Sequence, residues 1–186
     1  MKSVLLIIVF LAGTVGESFG IAKIGVYADP TGSNCHLVDT QVGPVSYYVV
    51  VTGENTAAVS FAAPMPACMI GTTWISDTPV YPITLGDSQS GTDIGFGACF
   101  GSPNHVLTMN YVVGGQTEVC CCYPVLPSPT NPSGCVDIVL CAGPVFCYTG
   151  EISLINSSEE CPTCDHCLTV SAESTSWGRV KALFVE

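Results

Sequence analysis

Apolar and polar positions along this chain mostly alternate with a period of two or gather in short apolar blocks; the helical spacing is rare. The densest stretch is residues 94–129, IGFGACFGSPNHVLTMNYVVGGQTEVCCCYPVLPSP. Within it residues 106–113 are β-branched and aromatic, with Leu107, Met109, Tyr111 and Val113 on one face of a strand. Gly114-Gly115 follows, and 117–125 runs on with Val119, Cys121 and Tyr123 sharing a face. A Gly-Gly pair between two such runs predicts a hairpin, because tight primed turns need φ > 0. The opposite faces carry Val106, Val112, Cys120 and Cys122, so both sides have something to bury. Two or three consecutive antiparallel strands at the centre of a sandwich are therefore expected here.

The same pattern predicts strands at 21–29, 45–52, 56–62, 73–76, 80–85, 136–141 and 145–155, and a short strand or loop at 35–39, with Asp39 among the loop acids. Gly53-Glu54-Asn55 separates 45–52 from 56–62 and predicts a second hairpin. Segment 63–70 is excluded as an interior strand by Pro64 and Pro66, which remove ladder donors. The polar run 86–92 reads as a turn. Two segments break the pattern. Residues 156–173 are polar, cysteine-bearing and without a two-residue period, and read as a linker. Residues 174–186 switch to helical spacing: Ser176 can cap, and Trp177, Val180 and Phe184 fall on one stripe. Such a short helix is marginal alone, so it is expected either to cover its own domain or to be recognised by export, anchoring or assembly machinery.

At the other end Lys2 precedes an apolar run at 4–11, with Ser18 and Gly20 at plausible cleavage positions. That reads as a signal peptide over 1–20, too short to span a bilayer. The organisation expected is a signal peptide (1–20), a β-sandwich domain (21–155), a linker (156–173) and a tail (174–186).

Composition narrows the function classes. The formal net charge is −11, and no lysine or arginine occurs between Lys23 and Arg179. Nucleic acid is excluded as a partner, since phosphate binding needs a basic face, and anionic membrane is disfavoured. Twelve cysteines behind an export signal read as disulfides. The candidates are Cys35, Cys68, Cys99, Cys120, Cys121, Cys122, Cys135, Cys141, Cys147, Cys161, Cys164 and Cys167. Cys120 and Cys122 would face one way along a strand and Cys121 the other, stapling two sheets through different partners. In the CPTCDHC run, Cys161, Cys164, His166 and Cys167 have zinc-ligand types, but one short loop closes poorly round an ion. Oxidised thiols are the preferred reading, and no metal or cofactor is expected.

No catalytic motif stands out among three histidines and scattered loop acids. Asp87 and Asp93 bracket a Ser/Gly-rich turn without the ligand alternation of a calcium loop. Trp74 and Tyr81, in a proline-flanked segment, are the candidate ligand platform.

The runs SYYVVVTGENTAAVSFAAPMP and GDSQSGTDIGFGACFGSPNHVLTMNYVV resemble the strand order of cohesin-like β-sandwiches. IGVYADPTGSNCHLVD, SGTDIGFGAC and WGRVKALF resemble a group of short exported bacterial proteins of unassigned function. The resemblance implies export and fold, and no chemistry. The expectation is an all-β, immunoglobulin-like or cohesin-like sandwich of roughly eight or nine strands with a short C-terminal helix. It would act as a secreted or cell-surface, non-enzymatic binding or adhesion module for protein or polysaccharide. A structural subunit of a coat or fibre, and a small hydrolase, are the alternatives.

Overall fold

Residues 104–113 alternate as the pattern requires: Leu107, Met109, Tyr111 and Val113 are buried while Thr108, Asn110 and Val112 are not. In the computed structural model this strand lies between two others, and both its hydrogen-bonding edges are occupied. The structure describes residues 22–158 apart from 142 and 144, then Cys161, and the backbone of Leu168–Thr169. The expected signal peptide, Cys164, His166, Cys167 and the tail residues Trp177, Val180 and Phe184 lie outside the described residues.

In chain order the strands are β1 (Lys23–Tyr27), β2 (His36–Leu37), β3 (Gly43–Thr52), β4 (Thr56–Phe61), β5 (Thr72–Pro79), β6 (Ile83–Asp87) and β7 (Gly91–Phe100). They continue with β8 (Asn104–Val113), β9 (Cys121–Pro124), β10 (Val136–Leu140), β11 (Val145–Tyr148), β12 (Glu151–Ile155) and β13 (Leu168–Thr169). The first sheet has the order β1-β3-β8-β5 and the second β11-β10-β4-β7-β6. The third gathers β2, β9 and β13 round β12. All pairings are antiparallel except β2 with β12. The chain is all-β among the described residues. Val49, Val51, Leu107 and Met109 of the first sheet share one buried cluster with Val59, Phe61, Ile94, Phe96 and Ile138 of the second. That is a sandwich with a small third sheet added.

Both expected hairpins are absent. β8 pairs with β3 and β5, and β9 pairs with β12, so the run through Gly114-Gly115 leaves its sheet instead of folding back. Neither glycine has the positive φ that a primed turn needs. Their role is close approach: the Gly114 amide donates to the Gly71 carbonyl at 2.8 Å. A Cβ on Gly114 would stand 2.7 Å from that oxygen. The Gly53 turn likewise carries the chain from the first sheet to the second, because β3 is flanked by β1 and β8 and β4 by β10 and β7. Strands with two apolar faces can be central in either sheet, and local pattern does not choose between them. Nor are β7 and β8 neighbours.

The third sheet closes against β1. Glu151, 3% exposed, accepts a hydrogen bond from the Tyr27 hydroxyl at 2.6 Å and pairs with Lys23 at 3.4 Å. The Ser153 hydroxyl donates to the Val26 carbonyl.

Among the described residues four disulfides join Cys68–Cys121, Cys99–Cys141, Cys120–Cys161 and Cys135–Cys147, eight of the twelve cysteines in the sequence. Such bridges are typical of extracellular proteins. None of these four joins the first sheet to the second, so the inter-sheet staple expected of Cys120, Cys121 and Cys122 is corrected: Cys120 and Cys121 bridge elsewhere. Cys120 has φ 64° and lies before β9 rather than within it. It and Cys121 tie loop segments to the third sheet, while Cys122 is exposed.

A cluster of tyrosines lies where the three layers meet. Tyr47 and Tyr111 have ring centroids 5.7 Å apart, and Tyr47 meets Tyr123 edge-on at 6.3 Å. The Tyr111 and Tyr123 hydroxyls bond each other, and Tyr123 donates to the Ala63 carbonyl at 3.0 Å. Burial pushes the Tyr111 phenol up to about 12 and raises Tyr123 well above its usual value. Both stay neutral donors.

Candidate functional site

The two large sheets present very different outer faces. On the first, Ser46 donates to Asn110 at 2.9 Å, and the Asn110 amide reaches Thr78 at 3.1 Å. These residues form a polar row across β3, β8 and β5. His105 sits at one end, its ring 5.3 Å from Tyr48 and its Nε2 3.0 Å from the Thr108 hydroxyl. Partial burial lowers its pKa from 6.5, opposed by a hydrogen bond at the Leu107 backbone. The unfolded chain therefore takes up a proton at a higher pH than the folded chain does. Stability is full above about pH 6.5 and falls as the pH drops through that value toward the folded pKa. The melting temperature should decline between pH 7 and 5.5, and the decline should be smaller in His105→Gln; thermal melts across that window check it.

On the second sheet, alternate residues form two rows by register. Ile83, Gly95, Ala58, Val139 and Val145 lie opposite one another across β6, β7, β4, β10 and β11. One row along are Leu85, Asp93, Ser60, Asp137 and Cys147. The intervening residues Val59, Ile94 and Ile138 point into the core. The sequence builds a shallow trough here because the middle of the apolar row is Gly95 and Ala58 and its rims are branched. A Cβ on Gly95 would touch Ile83 at 3.4 Å. The trough has a cavity volume of about 270 Å³. Ile83, Leu85 and Val145 are 59%, 69% and 56% exposed. A contiguous apolar surface of this kind, rimmed by polar groups, marks an interaction site more often than scattered single residues do. Asp137 accepts from Asn131 and from Ser133, the latter at 3.0 Å, which fixes its carboxylate; Asp93 stands exposed in β7. Near the end of β11 a second, smaller apolar cavity of about 200 Å³ lies beside the Cys135–Cys147 bridge.

The residues singled out from sequence lie elsewhere. Trp74 is half-buried in β5, with its indole N–H on Asp77 at 3.0 Å. Tyr81 is turned inward between β5 and β6, stacked 4.4 Å from Phe96, and donates to Asn104 at 2.6 Å. The acids are structural in different ways. Asp39, read as a loop acid, is buried and binds Thr117 and Asn156. Asp87 caps its own turn at Gln89 and Ser90. Asp29 is only lightly buried, and hydrogen bonds from Thr31, Ser33 and Asn34 outweigh that burial and lower it to about 2. Among the described residues no cluster of three or more His, Cys, Asp or Glu could hold a metal ion.

The trough escaped the sequence reading. Its signal is small or apolar residues at alternate positions of five separate strands, and they become a row only once the pairing is known. Comparison with protein-family models and with curated proteins finds no match for this chain.

Proposed function

We propose that this chain is an exported, non-enzymatic binding module that holds an apolar, cation-bearing protein segment on the outer face of its second sheet. The observation that carries the reading is the apolar row from Ile83 to Val145 lying one residue row from Asp93 and Asp137. Apolar side chains provide affinity there and the carboxylates select positive charge. Polysaccharide is the weaker fit. Sugars pack on flat exposed rings, and here Tyr81 is buried and Trp74 half-buried. Placement outside the cell rests on the four disulfides together with the signal-like leader. The immunoglobulin-like or cohesin-like strand pattern accords with a module of this kind.

The test is selection of a random 12-residue peptide library on a chain ending at Glu173, which keeps every residue of the core cluster. Peptides with two or three apolar residues and at least one lysine or arginine should be enriched. The enrichment should vanish on a variant carrying Ile83→Asp and Val145→Asp. Enrichment that survives those substitutions, or none at all, overturns the proposal.

A further inference from the structure

The trough needs an occupant, and the chemistry it calls for occurs in this chain. Beyond Lys23 the only lysine or arginine in the sequence is Arg179 and Lys181. Both fall within residues 174–186, STSWGRVKALFVE, interleaved with Trp177, Val180, Leu183 and Phe184. Two cations interleaved with apolar residues match an apolar row that has two carboxylates in the adjacent row. Among the described residues the one lysine or arginine is Lys23, and it is paired with Glu151. The trough and this segment are therefore the complementary partners that the chain itself offers.

Chain geometry places the two within reach. Thr169 pairs with Glu151 in the third sheet, so the two are neighbours about 5 Å apart. From Glu151 back to Val145, at the rim of the trough, is six residues, or at most about 20 Å of chain. From Thr169 forward to Trp177 is eight residues, a span of up to about 27 Å. Trp177 can thus reach the β11 rim even with every intervening distance fully extended.

We infer that residues 174–186 dock intramolecularly in the trough formed by Ile83, Gly95, Ala58, Val139 and Val145, with Arg179 and Lys181 toward Asp93 and Asp137. The inference rests on the trough being a binding site.

The experiment uses isotope-labelled full chain, the chain ending at Glu173, and a synthetic peptide of residues 174–186. Resonances of Ala58, Ile83, Gly95, Val139 and Val145 should differ between the two chains, with well-dispersed spectra in both. Added peptide should return the shortened chain's signals to their full-chain positions and leave the full chain unchanged. Asp93→Lys in the shortened chain should weaken the peptide at least threefold. A peptide with Arg179→Glu and Lys181→Glu should recover at least half of that loss. Identical spectra at those five residues, shifts confined to other surfaces, or differences that appear only as the full chain becomes concentrated and dimerises would each overturn intramolecular docking. If the peptide fails while library peptides still bind in an Ile83- and Val145-dependent way, the trough stands as a site and only its occupant is wrong. If both fail, the trough is not a site.

Discussion

Tyr111→Ala should destabilise the domain by about 4 kcal/mol, because deleting a large buried aromatic forfeits its burial and leaves a cavity. Tyr111 is 1% exposed, packs against Tyr47, and meets Tyr123 through its hydroxyl. It stands on β8, the strand that both β3 and β5 use, so neighbours cannot collapse inward without disturbing two ladders. Against a typical domain stability of about 5–15 kcal/mol, that is a large share. It corresponds to roughly 10–20 °C in melting temperature. Tyr111→Phe separates the hydroxyl from the ring. Tyr123 keeps its bond to the Ala63 carbonyl, so this variant should lose only about 1 kcal/mol. Denaturant unfolding of both variants is the measurement. Equal losses would mean that the hydroxyl pair, and not the packing, holds the layers together.

Replacing Cys68 and Cys121 together by serine should cost about 4 kcal/mol. The bridge closes a loop with a sequence separation of 53, and the loss of unfolded-chain freedom grows with the logarithm of loop length. It also anchors the proline-bearing coil after β4 to β9, neither of which has a continuous ladder to the other. The bridge Cys135–Cys147 has a separation of 12 and joins the flank of a hairpin that is already paired. Its removal should cost about 1 kcal/mol less on loop length alone. Calorimetric melts of the two double variants, with the other bridges intact by mass, test the order. A larger loss from the short bridge would contradict it.

How much of this was legible in the sequence depends on the range of the interaction concerned. The alternation in residues 104–113 places Leu107, Met109, Tyr111 and Val113 on the core face, and they are there. Pro64 and Pro66 exclude a strand, and the chain is coil between Ala62 and β5 apart from one bridge at Ala62. Pairing was not legible. Val49 and Val50 are both fully buried, one toward each side of β3, so the pattern says central strand without saying in which sheet. Gly114-Gly115 carries the composition of a turn, yet it serves a backbone contact with Gly71 that only the fold brings near. Among the described residues three sheets of thirteen strands stand where eight or nine strands in a sandwich were expected. The trough is harder still. Ala58, Ile83, Gly95, Val139 and Val145 are ordinary residues in their own segments. They acquire meaning only through a register that joins β4, β6, β7, β10 and β11.

The closure of the third sheet on β1 bears on how the chain reaches its native state. The Tyr27 hydroxyl finds its acceptor 124 residues away, and the Val26 carbonyl finds Ser153 at a separation of 127. Among the described residues only β6 with β7, β10 with β11 and β12 with β13 pair with their immediate successors. The remaining ladders must close non-local loops before pairing repays the lost freedom, which places the domain among folders on the millisecond-to-second scale. While β12 is still being made, Glu151 and Ser153 are missing and the contacts they make with β1 cannot form. The first sheet is complete in sequence by Val113, but the layer that ties β1 to β12 forms only once β12 has emerged.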